Sequence, residues 1–290
     1  VYDTLDIATG VSEYWIKGRK KDGGKVTFNF ADSQTKEDPI TSEIVNITPD
    51  MENGECSDNN CRTIHAAMKR MIPSPGLNPK IIKLPLGTFS SFNNEFSTIP
   101  IIDGISIEGT YNVETRQKTI FDAEDSGRIF TCKDMQNTNV KISNLEIKRG
   151  YDVDRGDGGA IILDNCSPTF ENIVINNNQS DGKGGGMHLV RNSNPQLFDV
   201  KIINNTSKRN GGGLSFDYSN PVINGDSEIS DNISMATKGA GIYSINGSAP
   251  ELYDVTVSNN YLDRDNLDSL NVDVSIYGAG IYIKDAYSNS

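Results

Sequence analysis

Apolar residues recur along this chain in short runs that favour strands. In the second half they appear as Ile161-Ile162-Leu163, Ile173-Val174-Ile175, Val200-Lys201-Ile202-Ile203 and Val255-Thr256-Val257. Runs of this length, bounded by Gly, Pro and Asn, predict strands rather than helices. Ile161 and Leu163 are placed inward and Ile162 outward, because successive side chains alternate across a strand. Earlier in the chain, Lys25–Phe30 alternates after the turn Asp22-Gly23-Gly24, Ile81–Phe89 turns at Pro85 and Gly87, and Ile105–Gly109 forms another strand pattern. One segment has helical spacing instead. Residues Thr63–Ile72 carry Ile64, Ala67, Met68 and Met71 on one face and stop before Pro73 and Pro75. Proline lacks the amide that would continue a helix.

From about residue 140 the strands belong to a repeat. Gly158-Gly159-Ala160-Ile161, Gly184-Gly185-Gly186-Met187, Gly211-Gly212-Gly213-Leu214 and Gly239-Ala240-Gly241-Ile242 each lead to a proline, at 168, 195, 221 and 250. Each is followed by an apolar strand and then by Asn176-Asn177, Asn204-Asn205, Asp231-Asn232 or Asn259-Asn260. From Ile161 to Met187, Leu214 and Ile242 the steps are 26, 27 and 28 residues, and the step to Ile281 is 39. A period of this size marks a solenoid in which each coil buries its apolar side against its neighbours. With no helices between the strands, the fold class is all-β, a single-stranded parallel β-helix. The Asn pairs end strands where the backbone enters the left-handed region, and stacked pairs form a ladder. The long last step places an acidic insertion around Leu262–Val274. Insertions in solenoids map to one face, often the binding face. The organisation expected is an N-terminal segment over residues 1–55 and a β-helix over 56–290, with helix 63–72 as a short N-terminal cap. The last coil breaks off without a polar capping sequence, so the native chain is expected to continue past Ser290 or to dock a partner through this open end.

The repeat Gly-Gly-(Ala/Gly)-(Ile/Met/Leu), a proline, an apolar strand and Asn-Asn resembles the right-handed parallel β-helix repeats of pectin-lyase-like proteins. It is especially similar to repeats of bacterial surface proteins, the polymorphic outer-membrane proteins among them. The 63–72 helix followed by Leu84-Pro85-Leu86-Gly87-Thr88-Phe89 resembles the N-terminal entry into such folds. The resemblance covers residues 60–290 and implies a right-handed solenoid. For function it implies a range: polysaccharide lyases, glycosidases, adhesins and tailspikes share this architecture.

Composition narrows the range. The 290 residues carry a net charge of -12, and the mean hydropathy is -0.46. Phosphate binding needs clustered Lys and Arg, so no nucleic-acid partner is expected. No apolar run reaches the roughly 18 residues of a membrane-spanning helix, so no direct membrane span is expected. The opening Val1-Tyr2-Asp3 fits a processed product. Cys56 and Cys61 bracket a short polar loop and are expected to form a local disulfide in an oxidising compartment. Cys132 and Cys166 either face each other across the stack or simply fill core positions. The location expected is therefore secreted or cell surface.

Three sets of residues carry candidate chemistry. Strand phase puts His188, Ser215, Tyr243 and Tyr282 in one outward column, which predicts an aromatic platform for sugar rings. Lys183, His188 and Arg191 surround one coil entry and are expected, with Tyr243 and Tyr282, to bind carbohydrate, with no residue assigned to catalysis. In β-helix lyases, as the resemblance implies, Lys or Arg abstracts the proton beside an acidic-sugar carboxylate, and a cation neutralises that carboxylate. Asp152, Asp154 and Asp157 gather three carboxylates in one loop, a theme repeated by Asp263, Asp265 and Asp268, and point to Ca2+. Asn46, Asn178, Asn205, Asn232 and Asn246 begin glycosylation sequons. With only His65 and His188 present and neither in a nucleophile motif, a Ser-His-Asp triad is not expected. The function expected is an extracellular or cell-surface β-helix with either a structural or adhesive role or a carbohydrate-binding one, toward a polysaccharide or cell-surface ligand. The alternative is a polysaccharide lyase acting on an acidic glycan.

Overall fold

The computed structural model describes residues 39–49, 56–57, 59–76, 78–90, 98–135, 137–152, 156–263 and 278–286. The strand pattern at Lys25–Phe30, Asp154, Asp265, Asp268 and most of the 262–274 insertion lie outside them.

The repeat closes into coils of four strands. In one coil Lys141–Ser143, Leu145–Lys148, Tyr151–Asp152 and Ile161–Cys166 follow one another. Thr169–Glu171 then pairs with Lys141–Ser143 as the next coil begins. Equivalent strands of successive coils pair in parallel, in sheets of ten, seven, five and seven strands among the described residues, the ten-stranded one ending in an antiparallel pair, Cys56–Ser57 with Asn60–Cys61. The phase read from the sequence holds. Ile161 and Leu163 are buried while Ile162 is half-buried, and inward positions stack by type: Ile142, Phe170, Leu197 and Ile223 on the first sheet, Ile147, Ile175, Ile202 and Ile229 on the second. Each fully buried side chain of this size contributes roughly 1.5–3 kcal/mol. A thin interior therefore suffices when it runs through every coil.

The corners explain the polar residues of the repeat. Asn144, Asn172 and Asp199 turn the chain from the first sheet to the second, each with φ between 52° and 58°. Asn177, Asn204, Asp231 and Asn259 do the same at the end of the second sheet. Asn and Asp enter this left-handed region more readily than other side chains. The residue after each of these last corners, Asn178, Asn205, Asn232 or Asn260, turns inward and forms the expected ladder. Each Nδ2 donates to the next Oδ1, at 2.9, 3.0 and 2.9 Å along the series. A glycan on the sequons at Asn178, Asn205 and Asn232 is excluded by this geometry, because those side chains are fully buried and hydrogen-bonded. The tripeptide motif reports a local sequence and carries no information on burial.

The stack begins earlier than the boundary expected at residue 56. Strand Ile44–Ile47 pairs in parallel with Lys80–Lys83, and its Val45 and Ile47 enter the same core. A four-residue strand lacking the glycine motif offers little repeat signal. Helix Ile64–Arg70 lies at this N-terminal end, against Ile44–Ile47 and Asn60–Cys61. Thr63 caps it by accepting the amide of Ala66 at 3.1 Å, and Lys69 and Arg70 complement the partial negative charge of its last turn. Ile64, Ala67 and Met71 are buried in the common core, so the helix covers apolar surface that the first coil leaves open. Cys56 and Cys61 are disulfide-bonded. Cys132 and Cys166 meet across neighbouring coils with Cα atoms 6.0 Å apart, a separation that a disulfide spans.

Candidate functional site

The sheet containing Ile161–Cys166 carries the outward column. Ile162, His188, Ser215, Tyr243 and Tyr282 are direct partners in successive parallel pairings. The column faces away from the core, yet most of it is not an open platform. His188 is 3% exposed, Ser215 0% and Tyr243 9%. The glycine turn before each strand folds back over it. A Cβ added to Gly158 would lie 3.3 Å from the His188 Cβ, and one added to Gly211 would lie 3.0 Å from the Ser215 Cβ. The alternation rule gives the direction of a side chain and is silent on what a loop lays over it. This corrects the expected platform for its first half.

The column's second half differs. Tyr243 and Tyr282 stack with centroids 5.6 Å apart and planes 14° apart. Tyr282 is half-buried, and the Lys238 ammonium lies 5.1 Å from its ring centroid. Burial raises the Tyr243 phenol above its ordinary range, with the neighbouring Tyr282 adding to the effect and a hydrogen bond with Asn210 opposing it. The phenol stays protonated at neutral pH and keeps its donor.

Beside His188 lies a cluster of paired charges. The Arg128 guanidinium contacts the Asp152 carboxylate and donates to the Asp157 carbonyl at 2.6 Å. The Asp157 carboxylate accepts the Lys183 amide at 2.6 Å, and its other oxygen lies 3.4 Å from His188 Nε2. The Lys183 ammonium lies 3.6 Å from Asp217. Burial lowers the His188 imidazole to about 4, against the attraction of Asp157, so the ring is neutral at neutral pH. His188 Nδ1 and Ser215 Oγ are buried without hydrogen-bond partners. These pairings tie the loops before three successive strands to one another.

The structure thus joins Lys183, His188 and Asp157 and separates Arg191 from them. Arg191 follows the far end of its strand, where it contacts Asp164 and lies 4.0 Å from Asp134. At Asp152 and Asp157, the two described members of the expected calcium loop, Arg128 supplies the positive charge. No group of three metal-ligating side chains occurs among the described residues. Sequence reading missed Arg128 and Asp217. Asp217 was within reach, being two residues after Ser215 on the same outward face. Arg128 sits one coil earlier, before the repeat becomes regular, and had no signal.

A family model described as a right-handed β-helix region matches residues 103–290. The chain belongs to the right-handed β-helix family. The match supplies the handedness of the coils and covers every residue of the column and of the paired-charge cluster. No curated protein and no solved structure matches the chain. A β-helix of this kind serves structural and carbohydrate-related proteins generally, so the choice among them rests on the site. No helix among the described residues is long and apolar enough to cross a membrane.

Proposed function

We propose that this β-helix is a non-catalytic extracellular or cell-surface module with a structural and adhesive role, binding polysaccharide at the Tyr243–Tyr282 end of its outward column. One observation carries the choice of binding over turnover. The cations around His188 and at the expected coil entry are already held: Lys183 by Asp217 at 3.6 Å, Arg128 by Asp152, and Arg191 by Asp164. A buried neutral His188 supplies no positive clamp. The stacked tyrosines, with Lys238 against Tyr282, offer the amphipathic surface on which a sugar ring packs. The disulfide at Cys56 and Cys61 supports an oxidising compartment. A net charge of -12 opposes a nucleic-acid partner.

The test has two arms. Incubation with pectate, alginate and glycosaminoglycans, read by the ultraviolet absorbance of unsaturated uronates, is expected to show no elimination. Glycan-array binding is expected for the wild type and to weaken about tenfold in Tyr282→Ala, the loss of one aromatic contact worth roughly 1.4 kcal/mol. Elimination on any substrate replaces the binding reading with the lyase. Array silence removes the carbohydrate role and leaves the structural one.

A further inference from the structure

We propose that a groove at the corner between the first and second sheets, remote in the coil from the tyrosine column, binds a neutral saccharide. Its volume is about 390 Å3, and Lys83, Leu84, Glu108, Thr110, Tyr111 and Asn144 line it across three successive coils. Ligand pockets run from roughly 300 to 1,000 Å3, so a mono- or disaccharide matches the lower end.

The groove exists because two successive coils depart from the tight corner of the later ones, the first turning over residues 84–87 and the second over a longer excursion. Between Lys141–Ser143 and Leu145–Lys148 a single left-handed residue, Asn144, makes the turn. Between Ile105–Glu108 and Thr119–Asp122 the chain instead makes the excursion 109–118. This excursion is a built hairpin. Tyr111 bridges Lys118 in antiparallel fashion, and Asn112 accepts the amides of Glu114 and Thr115 at 3.0 Å each. Two threonines pin its base: Thr110 Oγ1 donates to the Leu84 carbonyl, Thr119 Oγ1 to the Pro85 carbonyl, both at 2.8 Å. Coil stacking needs none of this, since the neighbouring coils turn without it. An insertion held rigidly beside a cavity is where solenoids carry binding.

The lining selects the ligand class. Lys83 and Glu108 lie 3.9 Å apart, so the groove presents both charges together and favours a ligand with no net charge. Glu108 supplies acceptors. Lys83 supplies donors, and Asn144, whose Oδ1 is held by Asn172 Nδ2 at 2.8 Å, supplies its amide N–H groups. Tyr111 is 37% exposed at the groove, and the Lys118 ammonium lies 5.7 Å from its ring centroid. An aromatic face with mixed donors and acceptors suits a polyhydroxylated ring.

Saturation-transfer NMR with glucose, galactose, mannose and N-acetylglucosamine tests the site. Transfer to at least one sugar is expected, reduced at least fivefold in Tyr111→Ala and in Glu108→Gln and unchanged in Tyr253→Ala, an exposed tyrosine outside both the groove and the column. The proposal is overturned if no sugar receives transfer, or if transfer persists in both groove variants. Glu108→Gln keeps the side-chain volume and guards against a folding defect in Tyr111→Ala. Loss in Tyr282→Ala alone assigns the sugar to the column and also overturns the groove.

Discussion

The Oδ1 of Asn232 accepts two hydrogen bonds from Asn205, one from its backbone N–H and one from its Nδ2, each 3.0 Å long. Asn205 repeats the arrangement toward Asn178, and Asn260 toward Asn232. Each Nδ2 also donates to a carbonyl of the preceding coil, as Asn205 does to Ile175 at 3.0 Å. Every rung is buried and satisfied, and this turns a polar side chain into a fastener between coils.

Removing one rung leaves its neighbours stranded. Asn205→Ala deprives the backbone amide of Asn178 of its acceptor and takes one partner each from Asn178 Nδ2, the Asn232 oxygen and the Ile175 carbonyl, all out of reach of water. A buried unsatisfied group costs about 1–3 kcal/mol, so the variant is expected to lose roughly 3–5 kcal/mol in urea unfolding. Asn204→Ala is the control. Asn204 is exposed at a left-handed corner, and its replacement costs about 1 kcal/mol. Equal losses would remove the ladder as a source of stability.

Close approach of coils makes a second prediction. A Cβ on Gly212 would sit 2.2 Å from the Ile233 carbonyl oxygen and within 2.7 Å of two further backbone atoms of that residue. None of these is a flexible side-chain end, so Gly212→Ala must push two coils apart. Disruption of packing is expected to cost about 3 kcal/mol or more, or to abolish folding. At Gly127, where an added Cβ meets nothing within 4 Å, the same change is expected to be near neutral. Thermal melts of the two variants check the contrast.

The fold was legible because its physics is periodic. Inward Ile and Leu, left-handed Asn and close-packed Gly recur once per coil, so the same constraint is written several times over. In Asn176-Asn177-Asn178 the motif alone did not say which Asn turns and which stacks; the pairing of Asn176 with Ile203 fixes Asn178 as the rung. The candidate site was less legible because it depends on departures from the period. His188 is covered by a glycine turn of the coil before it. Arg128 reaches Asp152 and the Asp157 carbonyl from an earlier coil, a contact that no spacing predicts. The groove at Tyr111 arises where the excursion 109–118 replaces the tight corner of the later coils.

Lys118, in the hairpin that walls this groove, gives a pH-dependent prediction. Burial lowers its ammonium to about 8, against Glu146, which favours the charged form. In the unfolded chain a lysine titrates near 10.4. Between these values the unfolded state holds the extra proton, so this group's contribution to stability increases as pH rises from about 8 toward 10.4. NMR titration of the Lys118 side chain is expected to show a midpoint near 8, shifted further down in Glu146→Gln. A midpoint at the ordinary lysine value would refute the assigned burial.

His188 gives the opposite extreme, a group held neutral through the acid range. Its faces meet Asp157, Lys183, Asp217 and Arg128, and burial outweighs the two carboxylates to bring its pKa to about 4. In the unfolded chain the imidazole protonates near 6.5. Between about 6.5 and 4 the unfolded state therefore binds the extra proton, and stability falls as pH falls through that window. The loss attributable to His188 reaches roughly 3 kcal/mol at its lower end, at about 1.4 kcal/mol per pH unit of displacement. Carboxylates such as Asp122, held below its ordinary range by Arg149, lose their own contributions in the same direction as they protonate. The difference between wild type and His188→Gln isolates the imidazole. Urea unfolding at pH 7 and at about pH 4.5 is expected to show a steeper loss for the wild type than for the variant. Identical losses in the two proteins would mean that burial of this ring does not govern the acid sensitivity of the coil entry.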